Sequence, residues 1–69
     1  MNKLDSKIIA ARLIKLRGNK TQDEVAKDVG ISKSALGMYE TGARIPRDNI
    51  KLKLAAYYNT SVEAIFFTN

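Results

Sequence analysis

The chain contains no cysteine and no histidine, a single proline, and no hydrophobic run approaching the length of a membrane-spanning helix. The missing cysteines exclude a disulfide scaffold, a zinc finger and thiol catalysis. The missing histidines argue against a transition-metal site or a histidine-based triad. The N-terminus also lacks the apolar core of a signal peptide, so we expect a cytoplasmic protein with no membrane partner. Because the carboxylates are scattered, we expect neither enzymatic activity, nor a cofactor, nor a small-molecule ligand.

Positive charge is what the chain has in excess. Twelve Lys and Arg against seven Asp and Glu give a net charge of +5 on 69 residues, with a pI of about 9.8. A surface this basic favours an anionic partner. A hydrophobic content of 45% with 28% charged residues is typical of a globular protein. We expect one domain over residues 1–69, because chains of this length rarely hold more.

Apolar residues recur at helical spacing in five segments, and no segment alternates as a strand would. In the first segment Ile9, Leu13 and Leu16 form the predicted core face, with Ile8 and Ala10 beside them. The predicted helices cover about 5–17, 21–30, 32–42, 48–58 and a short stretch within 61–67. The fold class is therefore all-α, with five helices.

The second and third predicted helices are separated by a very short turn. Thr21 and Glu24 have the spacing of a capping box, and Gly30 follows only a few residues later. Gly30 suits the left-handed conformation that ends a helix, and Ser32 suits the N-cap of the next one. A turn this tight prevents antiparallel packing, so residues 21–42 are predicted to form a helix-turn-helix.

Several motifs agree at one register along nearly the whole chain. They are Leu16-Arg17, the run from Thr21 to Ala26, Val29-Gly30-Ile31-Ser32, Tyr39-Glu40-x-Gly42, Pro46, and Ser61-Val62-x-x-Ile65-Phe66. In this pattern the chain resembles the phage repressor and Cro family of helix-turn-helix (XRE-type) regulators. The resemblance implies a compact, lambda-repressor-like DNA-binding domain. Departures are the short link at residues 18–20 and the polar Asp48 and Lys51 at usually apolar positions.

The third helix carries the predicted base-reading surface. Its buried side is predicted to hold Ala35, Leu36 and Tyr39, whereas the opposite arc is polar and carries no acid. Donors and small apolar groups of this kind read base edges in the major groove. The predicted base-reading residues are Lys33, Ser34, Gly37 and Met38. Gly37 either lets the helix enter the groove more deeply or is merely tolerated there.

The resemblance also implies phosphate contacts and one structural ion pair. The expected phosphate contacts are Gln22, Ser32, Thr41, Arg44 and Arg47. In the family, the glutamine matching Gln22 also braces the start of the recognition helix. Arg17 and Glu40 match a pair that joins the first helix to the end of the third; alternatively, they are unrelated surface charges. The remaining lysines, including Lys3, Lys7, Lys51 and Lys53, are expected to be solvated.

The C-terminal Ile65, Phe66 and Phe67 are the predicted dimer surface, since a chain this short has difficulty covering all its aromatic residues. The loop after Gly42 is the alternative surface, and the other possibility is that the aromatic residues are all buried in the monomer. The sequence thus predicts a sequence-specific regulator of double-stranded DNA, a Cro-like or stand-alone repressor. It would bind a pseudo-palindromic operator as a homodimer. The alternative is a protein-interaction module, such as an antitoxin-like partner with the same fold, which an acidic third helix would have favoured.

Overall fold

The computed structural model describes residues 5–67, and within them the chain is all-helical, as predicted. No strand occurs in this range, and none of its helices is both long enough and apolar enough to span a bilayer. The helices are α1 (Ser6–Arg17), α2 (Gln22–Val29), α3 (Lys33–Thr41), α4 (Asp48–Tyr57) and α5, a short π-helical turn (Glu63–Phe67).

Local side-chain hydrogen bonds start the first three helices. Asp5 caps α1 by accepting from the backbone N–H groups of residues 7 and 8. Thr21 and Glu24 form the complete capping box that the sequence predicts for α2. Ser32 caps α3 by accepting from the amide of residue 35. Gly30 ends α2 at φ 86°, a left-handed backbone conformation that residues with a side chain rarely adopt. Because α2 ends so sharply, α3 starts after a very short turn.

The core lies where α1 packs against α3 and where α2 packs against both α3 and α4, with α5 closing against α1. The buried residues of this core are Ile9, Leu13, Val25, Ala26, Val29, Leu36, Tyr39, Leu54, Ala55, Ile65 and Phe66. The predicted core face of α1 is too wide. Leu16 is 39% exposed and Ile8 is also exposed, because α1 is covered only along the narrower line through Ile9 and Leu13.

A polar cluster fastens α2 to α4. The Tyr57 hydroxyl donates to Asp28 at 3.0 Å and accepts from the Lys20 ammonium at 3.1 Å. The Lys20 ammonium also lies 5.2 Å from the centre of the Tyr57 ring, within the range of a cation–π contact. These contacts keep α2, which carries Gln22, in a set position relative to the rest of the fold.

The expectation that Lys51 is solvated is wrong. Only 7% of the residue is exposed, and its ammonium lies 5.0 Å from the ring centre of Phe67 and 5.8 Å from that of Phe66. Its stem fills the usually apolar position, while Asp48, 3.5 Å away, balances its charge. Lys7 and Lys53 are exposed, as expected, and Lys3 lies outside the described residues.

Candidate nucleic-acid interface

A shallow concavity of about 650 Å³ opens along the exposed side of α3. All four predicted base-reading residues line it, together with two predicted phosphate contacts from α2 and from the end of α3. The lining residues are Gln22, Lys33, Ser34, Gly37, Met38 and Thr41. Ser32, Arg44 and Arg47 are not part of this lining.

The buried side of α3 determines which residues line the concavity. Leu36 is fully buried and Tyr39 nearly so, and both belong to the common core. On the opposite side of the helix, Lys33 and Ser34 are therefore exposed, and Gly37 and Met38 are partly exposed. Met38 is half-buried at the edge of this surface. A Cβ atom added at Gly37 would meet no atom within 4 Å, so packing inside the protein does not require glycine there.

A buried carboxylate joins the concavity to α1. Glu40, whose side chain is 2% exposed, accepts from Arg17 Nε at 2.9 Å and from the Gln22 amide nitrogen at 2.8 Å. The pair expected from the resemblance is thus present, and its hydrogen bond raises the pKa of Arg17 above the ordinary value. The expectation that Gln22 braces the start of α3 is corrected, because its amide donates to Glu40 in the last turn of that helix.

Tyr58 lies beside this network. Its hydroxyl oxygen is buried and has no hydrogen-bond partner among the described residues. Burial, followed by the nearby charge of Glu40, raises the pKa of Tyr58 to about 12. A neutral phenol therefore borders the Arg17–Glu40 pair at ordinary pH.

An acidic residue from another helix lies beside Lys33. The carboxylate of Asp23, in the first turn of α2, lies 3.8 Å from the Lys33 ammonium. Both side chains are well exposed, at 74% for Asp23 and 62% for Lys33. The short turn between α2 and α3 brings the two residues together, so the surface around the concavity is less uniformly basic than α3 itself.

Of the other predicted phosphate contacts, Thr41 lines the concavity, whereas Ser32, Arg44 and Arg47 do not. Ser32 uses its oxygen to cap α3, and the Thr41 hydroxyl donates to the carbonyl of residue 38. Arg44 and Arg47 are exposed, and neither side chain forms an ion pair within the described residues. Their charges are therefore available to an external anion.

The predicted dimer surface is corrected for two of its three residues. Ile65 and Phe66 are buried in the core of the protomer, so their side chains are not available to a partner. Phe67 remains 49% exposed. Arg12, which the sequence does not single out, donates to the carbonyl of Ile65 at 2.9 Å and holds α5 against α1.

Comparison with known proteins supports the relation suggested by this geometry. A helix-turn-helix family model matches residues 9–65. The solution structure of the SOS-response transcriptional repressor LexA from Eubacterium rectale is similar at a TM-score of 0.83 and 28% identity, covering 88% of this chain and 67% of that one. The restriction-modification controller protein C.AhdI from Aeromonas hydrophila is similar at 0.81 and 30% identity, covering 90% and 97%. No curated protein shows significant sequence similarity.

The family match includes the whole helix-turn-helix and every residue that lines the concavity. Both structural neighbours align over most of the described helices, and their TM-scores are those of a shared fold. The chain belongs to the XRE-type helix-turn-helix family and is a DNA-binding transcription regulator.

Proposed function

We propose that the protein is a sequence-specific repressor that binds a pseudo-palindromic operator in double-stranded DNA as a homodimer. The observation that carries this proposal is the concavity along α3, where Lys33, Ser34 and Met38 lie together. An α-helix with its side chains is about 10–12 Å in diameter, so α3 fits into the major groove, which is about 12 Å wide.

Each of these side chains suits a different feature of a base edge. The Lys33 ammonium only donates, so it is matched to guanine, whose O6 and N7 both accept in the major groove. Ser34 donates or accepts and therefore discriminates less. Met38 offers an apolar contact for the thymine methyl group. Gly37, with open space above it, allows the DNA to approach the helix closely.

Phosphate contacts would hold this helix in register. Gln22 and Thr41 line the same concavity, and Arg44 and Arg47, in the loop between α3 and α4, are exposed and form no ion pair within residues 5–67. Ser32 sits at the N-terminus of α3, where backbone N–H groups favour an anion. These contacts position the protein but carry no base identity.

Dimerisation would supply the specificity that one short helix lacks. Two copies related by a two-fold axis double the base contacts and require half-sites about one helical turn apart. Phe67 is exposed and lies against the Lys51 ammonium, so it is our candidate for the contact between copies. The loop after Gly42 is the other candidate.

The descriptions of the two structural neighbours favour repression over activation. The LexA neighbour is described as a transcriptional repressor, and C.AhdI as a controller of a restriction-modification system. A small protein that occupies an operator blocks polymerase by its position alone. Repression therefore requires nothing from this chain beyond tight, specific binding.

Selection of bound sequences from a random duplex pool, followed by footprinting of the enriched sequence, tests the proposal. We expect two inverted half-sites protected on one side of the duplex. Affinity should fall by about 10³–10⁵ between 50 and 200 mM salt if the dimer contacts roughly 6–10 phosphates. Failure to enrich any sequence, or a response to salt that is flat, would contradict the proposal.

Two variants separate base reading from phosphate binding. Lys33→Ala should cost about 1–3 kcal/mol on the operator and relax the preference at one G·C pair in each half-site. Arg44→Ala should weaken binding to every sequence alike. Both are measured against the operator and its single-base variants at fixed salt. An equal loss on all variants for Lys33→Ala would show that Lys33 contacts a phosphate.

A further inference from the structure

The acid next to the base-reading lysine has no part in the function described above. Asp23 follows Gln22 in the chain, and its carboxylate lies 3.8 Å from the Lys33 ammonium. Gln22 and Lys33 both line the concavity. A negative charge therefore stands at the edge of the surface that would meet the DNA.

Stability of the fold gives little reason for this charge. Both partners are mostly exposed, and exposed pairs at such a distance contribute little. The Thr21–Glu24 box already caps the N-terminus of α2, and as an exposed acid in the first turn Asp23 adds only a small favourable interaction with the helix dipole. The pairing of Asp23 with Lys33 therefore matters more for binding, where phosphates compete for the same ammonium.

We propose that Asp23 is a specificity-determining residue that suppresses binding to non-cognate DNA. It does so by pairing with Lys33, and a guanine takes the place of Asp23 as the partner of the Lys33 ammonium only on the operator. This inference rests on the proposed function. On a sequence without guanine at the reading position, Lys33 stays with Asp23, and the pair adds no net charge towards the phosphates. On the operator, guanine O6 and N7 accept from Lys33, and these hydrogen bonds offset the loss of the Lys33–Asp23 contact.

The gain is in discrimination rather than in affinity. Specificity is a difference between two binding free energies, and a group that weakens the wrong complex more than the right one increases it. A regulator competes with a large excess of non-specific sites, so the ratio of the two affinities determines occupancy of the operator.

Asp23→Asn tests the inference, since it removes the charge with almost no change of shape. We expect affinity for a scrambled duplex to rise roughly five- to thirty-fold for a dimer, because in each subunit the freed Lys33 gains a phosphate contact of about 0.5–1 kcal/mol, converted at tenfold per 1.4 kcal/mol. Operator affinity should change less than about threefold, so the specificity ratio falls. The salt slope on scrambled DNA should steepen by about 1 per subunit as Lys33 gains a phosphate.

Glu63→Gln is the matched control, because it makes the same change of net charge at an exposed residue that does not line the concavity. It should shift both affinities by the same small factor. Asp23→Glu should keep most of the wild-type ratio, and circular dichroism should show all three variants folded.

If Asp23→Asn leaves the ratio unchanged, or moves both affinities as Glu63→Gln does, the inference is overturned while the proposed function stands. If the wild-type protein prefers no duplex sequence, the proposed function itself fails, and the inference with it.

Discussion

The Arg17–Glu40 pair allows the sharpest test of how this fold holds its DNA-facing surface. Glu40 is almost completely buried and accepts from Arg17 Nε through both of its oxygens, at 3.1 and 2.9 Å, and from Gln22 at 2.8 Å. Replacing Arg17 by alanine would leave a buried carboxylate with only the amide of Gln22 to stabilise it. Replacing Glu40 would leave Arg17 and Gln22 without their common acceptor.

The size of the effect follows from the burial of the two groups. Breaking a fully buried pair costs roughly 3–5 kcal/mol. Arg17 is 22% exposed, so water replaces part of what is lost, and we expect about 2–3 kcal/mol for either alanine variant. In a domain of this size about 1 kcal/mol shifts Tm by about 4–8 °C, so Tm should fall by roughly 8–24 °C.

A double-mutant cycle measures the interaction directly. Wild type, Arg17→Ala, Glu40→Ala and the double variant are unfolded with urea and followed by circular dichroism. The double variant should be more stable than the sum of the two losses predicts, with a coupling of about 1–3 kcal/mol. Lys15→Ala is the control, because it removes a positive charge from the same end of α1 at an exposed position. Additive losses would show that the pair does not contribute to stability, whatever its geometry.

Three other substitutions test separate parts of the molecule. Gly37→Ala should raise stability by up to about 1 kcal/mol, because glycine is a poor helix former and the site is open. The same variant should weaken operator binding if the DNA lies close to this position. Unchanged operator affinity would show that glycine is merely tolerated there. Lys51→Ala should destabilise the fold by about 1–2 kcal/mol in urea unfolding through lost packing and cation–π contacts, whereas the exposed Lys53→Ala should change stability by less than about 0.5 kcal/mol. Phe67→Asp should lower operator affinity and dimer formation in sedimentation experiments while circular dichroism shows the chain still folded, and normal binding to a full operator would place the dimer contact elsewhere.

The ends of the first three helices are predictable from sequence because the interactions that set them are local. Asp5, Thr21 and Ser32 each bond to a backbone N–H two or three residues ahead, so the spacing of residue types contains the information. Gly30 and Gly42 end their helices in the left-handed conformation for the same local reason. The all-α class and the position of the helix-turn-helix follow from these ends and from the apolar spacing.

Which side of α3 is exposed is predictable in the same way. Leu36 and Tyr39 are buried as their periodicity indicates, and the predicted base-reading residues line one concavity. How widely a helix is covered is a different matter, since periodicity gives the direction of the core but not the shape of its neighbours. Leu16 remains exposed for this reason, although its spacing fits the face of Ile9 and Leu13.

The remaining features come from contacts between residues far apart in the chain, and only the tertiary structure decides them. Lys51 is buried because α5 brings two aromatic rings over its ammonium, and the same packing removes Phe66 from the surface. The Gln22 amide turns to Glu40 because the crossing of α2 and α3 sets a buried carboxylate within its reach. Asp23 meets Lys33 across the turn, where the charges on neither helix alone indicate a contact. Charge and polarity are properties of single residues and can be read from the sequence, whereas burial and pairing depend on how the helices cross.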